Sequence, residues 1–194
     1  MALHSRTRQP SENEEALEGQ LRESFGRVVY SHKTHEKTAD LLLEKLARIK
    51  LSQVVLSAIT AGGCVATIFG AGKVGASIAA LVSTGLLGLN LYTKDRDLGE
   101  LAQKHRRIGS DLWAIREKYL SLIADLRIGN QPMERLQVRR DRLVDELQTI
   151  YRGAPSTNAR AYRKAQEGLQ QQDEMTFSDE EINAFLPEEL RKGG

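Results

Sequence analysis

The sequence predicts an all-α protein, a two-transmembrane helical hairpin continuous with a cytosolic coiled-coil or helical bundle. Three observations carry this reading. Charged residues make up 28% of the chain, yet the stretch from Leu51 to Thr93 holds one, Lys73. Inside that stretch lie two apolar runs of about 19 residues, Leu51–Phe69 and Val74–Tyr92, parted by Gly70-Ala71-Gly72-Lys73. At about 1.5 Å per residue each run spans roughly 28 Å, close to a hydrocarbon core of about 30 Å. On both sides of the hairpin, apolar residues recur at alternating three- and four-residue intervals, the seam of packed helices. Those flanking seams are narrow stripes. They cannot cover two helices that are apolar all round, so lipid is the better solvent for the runs.

Composition bounds the rest. The chain has 194 residues and a net charge of +2, one or two modest modules with no strong steering toward nucleic acid. Aromatics are 5%, too few for base-stacking platforms, so no direct nucleic-acid binding is expected. The single cysteine, Cys64, can form no internal disulfide and anchors no metal set. The opening residues lack the apolar core of a cleavable signal, so the first run is expected to act as its own insertion signal.

Taken in order, residues 1–10 are expected to be disordered. Ser11-Glu12-Asn13-Glu14 fits a capping box and opens a cytosolic helix over 11–50, and from there no proline appears until Pro132. Its stripe reads Leu17, Leu21, Phe25, Val28, His32, His35, Ala39, Leu42, Leu46, Ile49. His32 and His35 interrupt the seam. Two histidines at i, i+3 could ligate a metal, but no carboxylate or cysteine completes a set. They could instead form a pH-sensitive layer, or a polar layer that fixes register through cross-helix hydrogen bonds. The membrane hairpin follows over 51–93, with spans 51–69 and 74–92. Each span carries a ridge of small residues every fourth position: Ala58, Gly62, Ala66 and Gly70 on the first, Ala76, Ala80, Thr84 and Gly88 on the second. Small faces allow the close helix approach that gives dispersion contacts in lipid, and one ridge is expected to pack within the hairpin. Ser57, Thr60, Thr67, Ser77 and Ser83 remain for a second, mildly polar surface. Gly70 to Gly75 also spells G-x-G-x-x-G, but a dinucleotide site needs a βαβ unit, and charged helix surrounds the hairpin on both sides.

Beyond the spans, residues 94–152 form a cytosolic helical hairpin. Leu98, Leu101, His105, Ile108, Leu112, Ile115, Tyr119, Leu122 and Leu126 hold the seam of a helix continuing out of the second span. Gly129-Asn130-Gln131-Pro132 stops it. Met133, Leu136, Arg140, Leu143, Leu147 and Ile150 stripe the returning helix. In 153–194 come a polar helix from Asn158 to about Gln171, a linker at Gln170 to Met175, a capping box at Ser178 to Glu181, and a short helix ended by Pro187. Ile182, Phe185 and Leu186 give that helix a small apolar face. Basic residues flank both spans at the bundle end: Lys45, Arg48 and Lys50 before, Lys94, Arg96, Lys104, Arg106 and Arg107 after. The hairpin loop has Lys73 alone, which puts both termini in the cytoplasm. No nucleophile is paired with a base, and the carboxylates lie on solvated helix faces among Lys and Arg. Neither an enzyme nor a cofactor is expected.

VVYSHKTHEK on the first helix, the two-span hairpin, the returning helices and the terminal FSDEEINAFLPEEL together resemble the SLATT family, over about Leu17 to Leu190. These are two-transmembrane effector domains associated with bacterial nucleotide-signal synthases and SLOG-type nucleotide sensors. The resemblance implies a multi-pass protein of the bacterial inner membrane. It implies an effector of an anti-phage or conflict system that oligomerises to perforate or depolarise that membrane when a partner signals. The implied partners are the lipid bilayer, further copies of the chain, and a nucleotidyltransferase, nucleotide sensor or reverse transcriptase encoded nearby. No catalytic residue carries over. A membrane-anchored coiled-coil scaffold without pore activity is the competing reading. The spans hold no acid or base for a selective ion path, which leaves a coarse oligomeric pore.

Overall fold

The computed structural model describes residues 11–94 and 96–185, without the side chain of Ala71. The N-terminal ten residues, Asp95, and the tail with Leu186 and Pro187 lie outside the described residues. Among the described residues six α-helices follow one another: α1 (Glu12–Ala66), α2 (Gly72–Lys94), α3 (Leu98–Ile128), α4 (Met133–Gly153), α5 (Ala159–Gln171) and α6 (Asp179–Phe185). The described residues contain no strand, which removes the sheet a dinucleotide motif would need.

The 55-residue α1 runs through the bundle and most of the first span without a break. Ser11 caps it, accepting from Glu14 N–H while the Glu14 carboxylate takes the Ser11 N–H at 2.7 Å. A wider π-type turn, Thr67–Ala71, closes the hairpin. Gly70 sits at φ 104°, a backbone conformation that L side chains rarely adopt, and so the chain can reverse there. The return path differs from a single continuing helix. α2 ends at Lys94 and α3 restarts at Leu98, because the Asp97 side chain accepts the Glu100 N–H at 2.7 Å and caps a new helix. Gly129, left-handed at φ 69°, ends α3, and Pro132 opens α4.

Helices α1, α3 and α4 make a three-helix bundle. Arg127 of α3 binds Glu18 near the start of α1, while His105 near the start of α3 meets His35, so α1 and α3 are antiparallel. Tyr151 donates to Ser31 and Arg140 to Gln20, so α4 returns parallel to α1. The core is the seam expected from spacing: Leu17, Leu21 and Val28 of α1, Ile108 to Leu126 of α3, and Leu136 and Leu143 of α4. Phe25, Leu147 and Ile150 pack around it. α5 lies on α1 through Ala161, Ala165 and Gly168, all buried. Small side chains, not leucines, make this face, so the polar helix is a docked element. The tract expected as a linker is docked as well. Glu174 reaches back to Lys33 and Lys37, and its N–H donates to Gly168 O at 3.0 Å.

Candidate functional site

Two places combine features that fold stability alone does not require: the apolar hairpin, and a polar layer beneath it in the bundle. The bundle and the Gly70 turn sit at opposite ends of the hairpin.

The hairpin is solvent-facing where a soluble core would be buried. None of the most apolar eighteen residues of α1 is buried. Leu51, Val54, Leu81 and Leu91 are each at least 60% exposed, and Ile68 and Phe69 crown the turn at 79% and 85%. Three hydroxyls in the spans are satisfied within their own helix: Thr60 donates to Leu56 O, Ser77 to Lys73 O and Thr84 to Ala80 O, each at 2.9 Å. That leaves those donors no need of water, as a lipid environment demands. One polar pair joins the helices, Gln53 Nε2 donating to Asn90 Oδ1 at 2.8 Å near the base.

The helices touch along a face that spacing did not single out. A Cβ on Gly63 would stand 3.0 Å from the Ala79 Cβ and 3.3 Å from the Gly75 carbonyl. Gly75 and Ala79 are the buried residues of α2. The predicted ridges lie elsewhere. Added Cβ atoms at Gly62, Gly70 and Gly88 meet nothing within 4 Å, and Ala58, Ala76, Ala80 and Thr84 are exposed. Ala66 is half-buried. The expectation that one ridge packs within the hairpin is therefore corrected. The contact lies one residue round from Gly62, because four-residue spacing picks out small stripes without saying which stripe meets the partner.

About 16 residues below the first span, or roughly 24 Å along the helix, hydrophobic packing gives way to histidines. His35 Nδ1 lies 2.9 Å from His105 Nδ1, both rings buried. One nitrogen must donate and the other accept, so the neutral pair holds opposite tautomers there. Burial, followed by the neighbouring His105 and His32 rings, pulls the His35 pKa from 6.5 to about 4, and burial also lowers His105. His32 Nδ1 donates to the Gly109 carbonyl at 2.8 Å, and its ring lies 5.5 Å from that of Trp113. Arg116 covers the Trp113 ring at 4.6 Å and the Phe25 ring at 5.5 Å. Above the pair, Arg106 of α3 holds Glu36 and Asp40 of α1. Thr34 and Thr38, also buried, donate to carbonyls of their own helix. From the other side His35 borders a cleft of about 310 Å³ lined by Tyr30, Ser31, Tyr151 and Tyr162, with Ala154 to Thr157 along its rim. Among the described residues no three His, Cys, Asp or Glu side chains gather as a metal set. His105 and Arg106 were legible only as a seam position and a flanking charge. Their partners lie 70 residues away, beyond any local pattern.

An all-α chain with two exposed apolar spans, mounted on a helical bundle whose polar contacts serve packing, is a two-transmembrane membrane protein. The chain belongs to the SMODS and SLOG-associating 2TM effector domain family, and the profile of family 4 matches residues 17–181. The family is one of membrane effector domains, and its name ties it to SMODS and SLOG defence systems. Neither a curated protein nor a solved structure matches the chain.

Proposed function

We propose that this chain is the membrane-perturbing effector of a bacterial conflict system, seated in the inner membrane with both termini in the cytoplasm. It assembles through its spans with further copies and depolarises the membrane when a partner signals. The family association with SMODS and SLOG systems supports the signalling context. The observation that carries the assembly is the unused face. The hairpin closes through Gly63, Gly75 and Ala79, while the ridges at Ala58, Gly62 and Gly70 and at Ala76, Ala80, Thr84 and Gly88 face outward. Small outward faces favour helix–helix contact over lipid contact. The candidate partner is a nucleotidyltransferase, nucleotide sensor or reverse transcriptase that acts upstream.

Membrane potential, followed with a voltage-sensitive dye in cells expressing the chain with its triggered partner, tests this. Wild type is expected to depolarise. Gly62→Leu with Ala80→Leu should stay in the membrane, since hydropathy rises and the space at Gly62 is open, yet lose depolarisation. A wild type that never depolarises would hand the assignment to the anchored scaffold. A double variant as active as wild type would remove the ridges as the assembly surface.

A further inference from the structure

We propose that the base of the hairpin is a headgroup site for an anionic phospholipid, formed by Lys45 of α1, Tyr92 of α2 and Arg96 just beyond it. The inference rests on the two-span reading but not on depolarisation.

In the bundle, six cations that face another element meet carboxylates there. Lys33 and Lys37 hold Glu174, Arg106 holds Glu36 and Asp40, Lys118 holds Glu146, Arg127 holds Glu18, and Arg139 holds Asp125. At the hairpin base this matching stops. Lys45 and Arg96 have no carboxylate partner among the described residues. Both instead approach one ring, Lys45 Nζ at 6.0 Å and Arg96 Cζ at 4.5 Å from the Tyr92 centroid. Arg96 also donates to the Tyr92 hydroxyl at 2.9 Å. Among the described residues the nearby acids are engaged: Glu44 with Arg48, and Asp97 as the cap of α3. Two like charges gathered at one ring repel each other, and an anion held by both relieves that repulsion. One Arg96 N–H goes to Tyr92, which leaves the rest of the guanidinium fork for phosphate oxygens.

Position favours a lipid over free phosphate. Tyr92 is the last residue of the second apolar run, 52% exposed, at the depth where aromatic rings mark the interface. Lys45 lies about 9 Å below Leu51, within snorkelling reach of a headgroup. Leu51 and Leu91, 65% and 60% exposed, stand ready for acyl chains. Just above, Asn90 gives its carbonyl to Gln53, which leaves its amide N–H groups for the ester region.

The test uses the full chain in neutral detergent, titrated with phosphatidylglycerol, phosphatidylcholine or inorganic phosphate. Retained lipid is read by native mass spectrometry, and the melting temperature alongside it. At about fivefold per interfacial cation, wild type should prefer phosphatidylglycerol over phosphatidylcholine by roughly 25-fold. Lys45→Gln with Arg96→Gln should bring the two lipids within about twofold. Arg22→Gln with Arg27→Gln, which removes equal charge far from the spans, should change nothing. If the double variant does not fold, Lys45→Gln alone, at an exposed side chain, should lower the preference about fivefold. Equal retention of both lipids by wild type overturns the proposal, as does full preference in a folded Lys45 variant. Loss in the Arg22/Arg27 control would make the effect one of bulk charge and overturn the site. Stabilisation by inorganic phosphate equal to that by phosphatidylglycerol would overturn the lipid assignment.

Discussion

Acid should loosen the bundle at its histidine layer, and the size of the effect follows from the buried pair. His35 is 5% exposed and His105 1%. Unfolded, both rings take a proton as pH falls through about 6.5. In the native bundle His35 holds off until about 4. Between those values the unfolded state binds the extra proton, so stability is full above pH 6.5 and falls as pH drops toward 4. For His35 alone the loss is roughly 3 kcal/mol, and His105, shifted the same way, adds to it. The groups facing the pair do not cancel this. Glu36 and Asp40 are occupied by Arg106, Lys33 and Lys37 by Glu174, and the cleft side presents Tyr151 and Tyr162. The chain's single tryptophan, Trp113, lies beside His32 in the same layer and reports on it directly. Urea unfolding followed by Trp113 fluorescence at pH 7.5, 6, 5 and 4 measures the slope. His35→Leu with His105→Leu, which leaves neither ring as an orphan, should flatten it. Glu174 and Glu18, whose pKa values are lowered by their basic partners, titrate in both proteins and subtract out. Equal slopes in wild type and the double variant would refute the reasoning.

Other outcomes follow from packing. Leu112 is fully buried between the bundle helices, so Leu112→Ala should lose about 2–5 kcal/mol in chemical denaturation, and Leu112→Asp at least about 3. Gly63→Leu should part the hairpin where Gly62→Leu does not, seen as lost disulfide crosslinking between cysteines placed at Gln53 and Asn90 only in the Gly63 variant. A Cβ at Gly168 would meet the Glu174 carboxylate at 2.6 Å, so Gly168→Ala should expel Glu174 from Lys33 and Lys37 and speed amide exchange across α5. Asn158→Ala removes the cap that accepts the Ala161 N–H and should cost about 1 kcal/mol, read as lower α5 protection.

What the sequence disclosed and what it withheld divide along physical lines. Large apolar side chains at helical spacing must be buried somewhere, so Leu17, Leu112 and Leu143 announced the bundle core. The caps at Ser11 and Ser178 and the stop at Gly129 are local chemistry, and they stand in the structure where the residues put them. The α5 docking face escaped because Ala161, Ala165 and Gly168 bury little area and leave no hydrophobic stripe. The histidine layer was half legible: His32 and His35 stood out, but their acceptor, Gly109, and partner, His105, belong to a helix that only the fold brings near. The ridges mark small faces. Which of them meets a neighbour depends on helix rotation, which spacing does not encode.

The unbroken α1 has a mechanical meaning. A 55-residue helix is a rod of roughly 80 Å that shares one axis between bundle and membrane. A turn imposed at the histidine layer would be carried along the same helix toward Gly62 and the outward ridge. The return path is made of two helices, one ending at Lys94 and the next beginning at Leu98. The protein thus has a drive shaft on one side and a coupling on the other. On the proposed function, torque applied to the bundle would reach the first span along one helix, and the second span only across the break between Lys94 and Leu98.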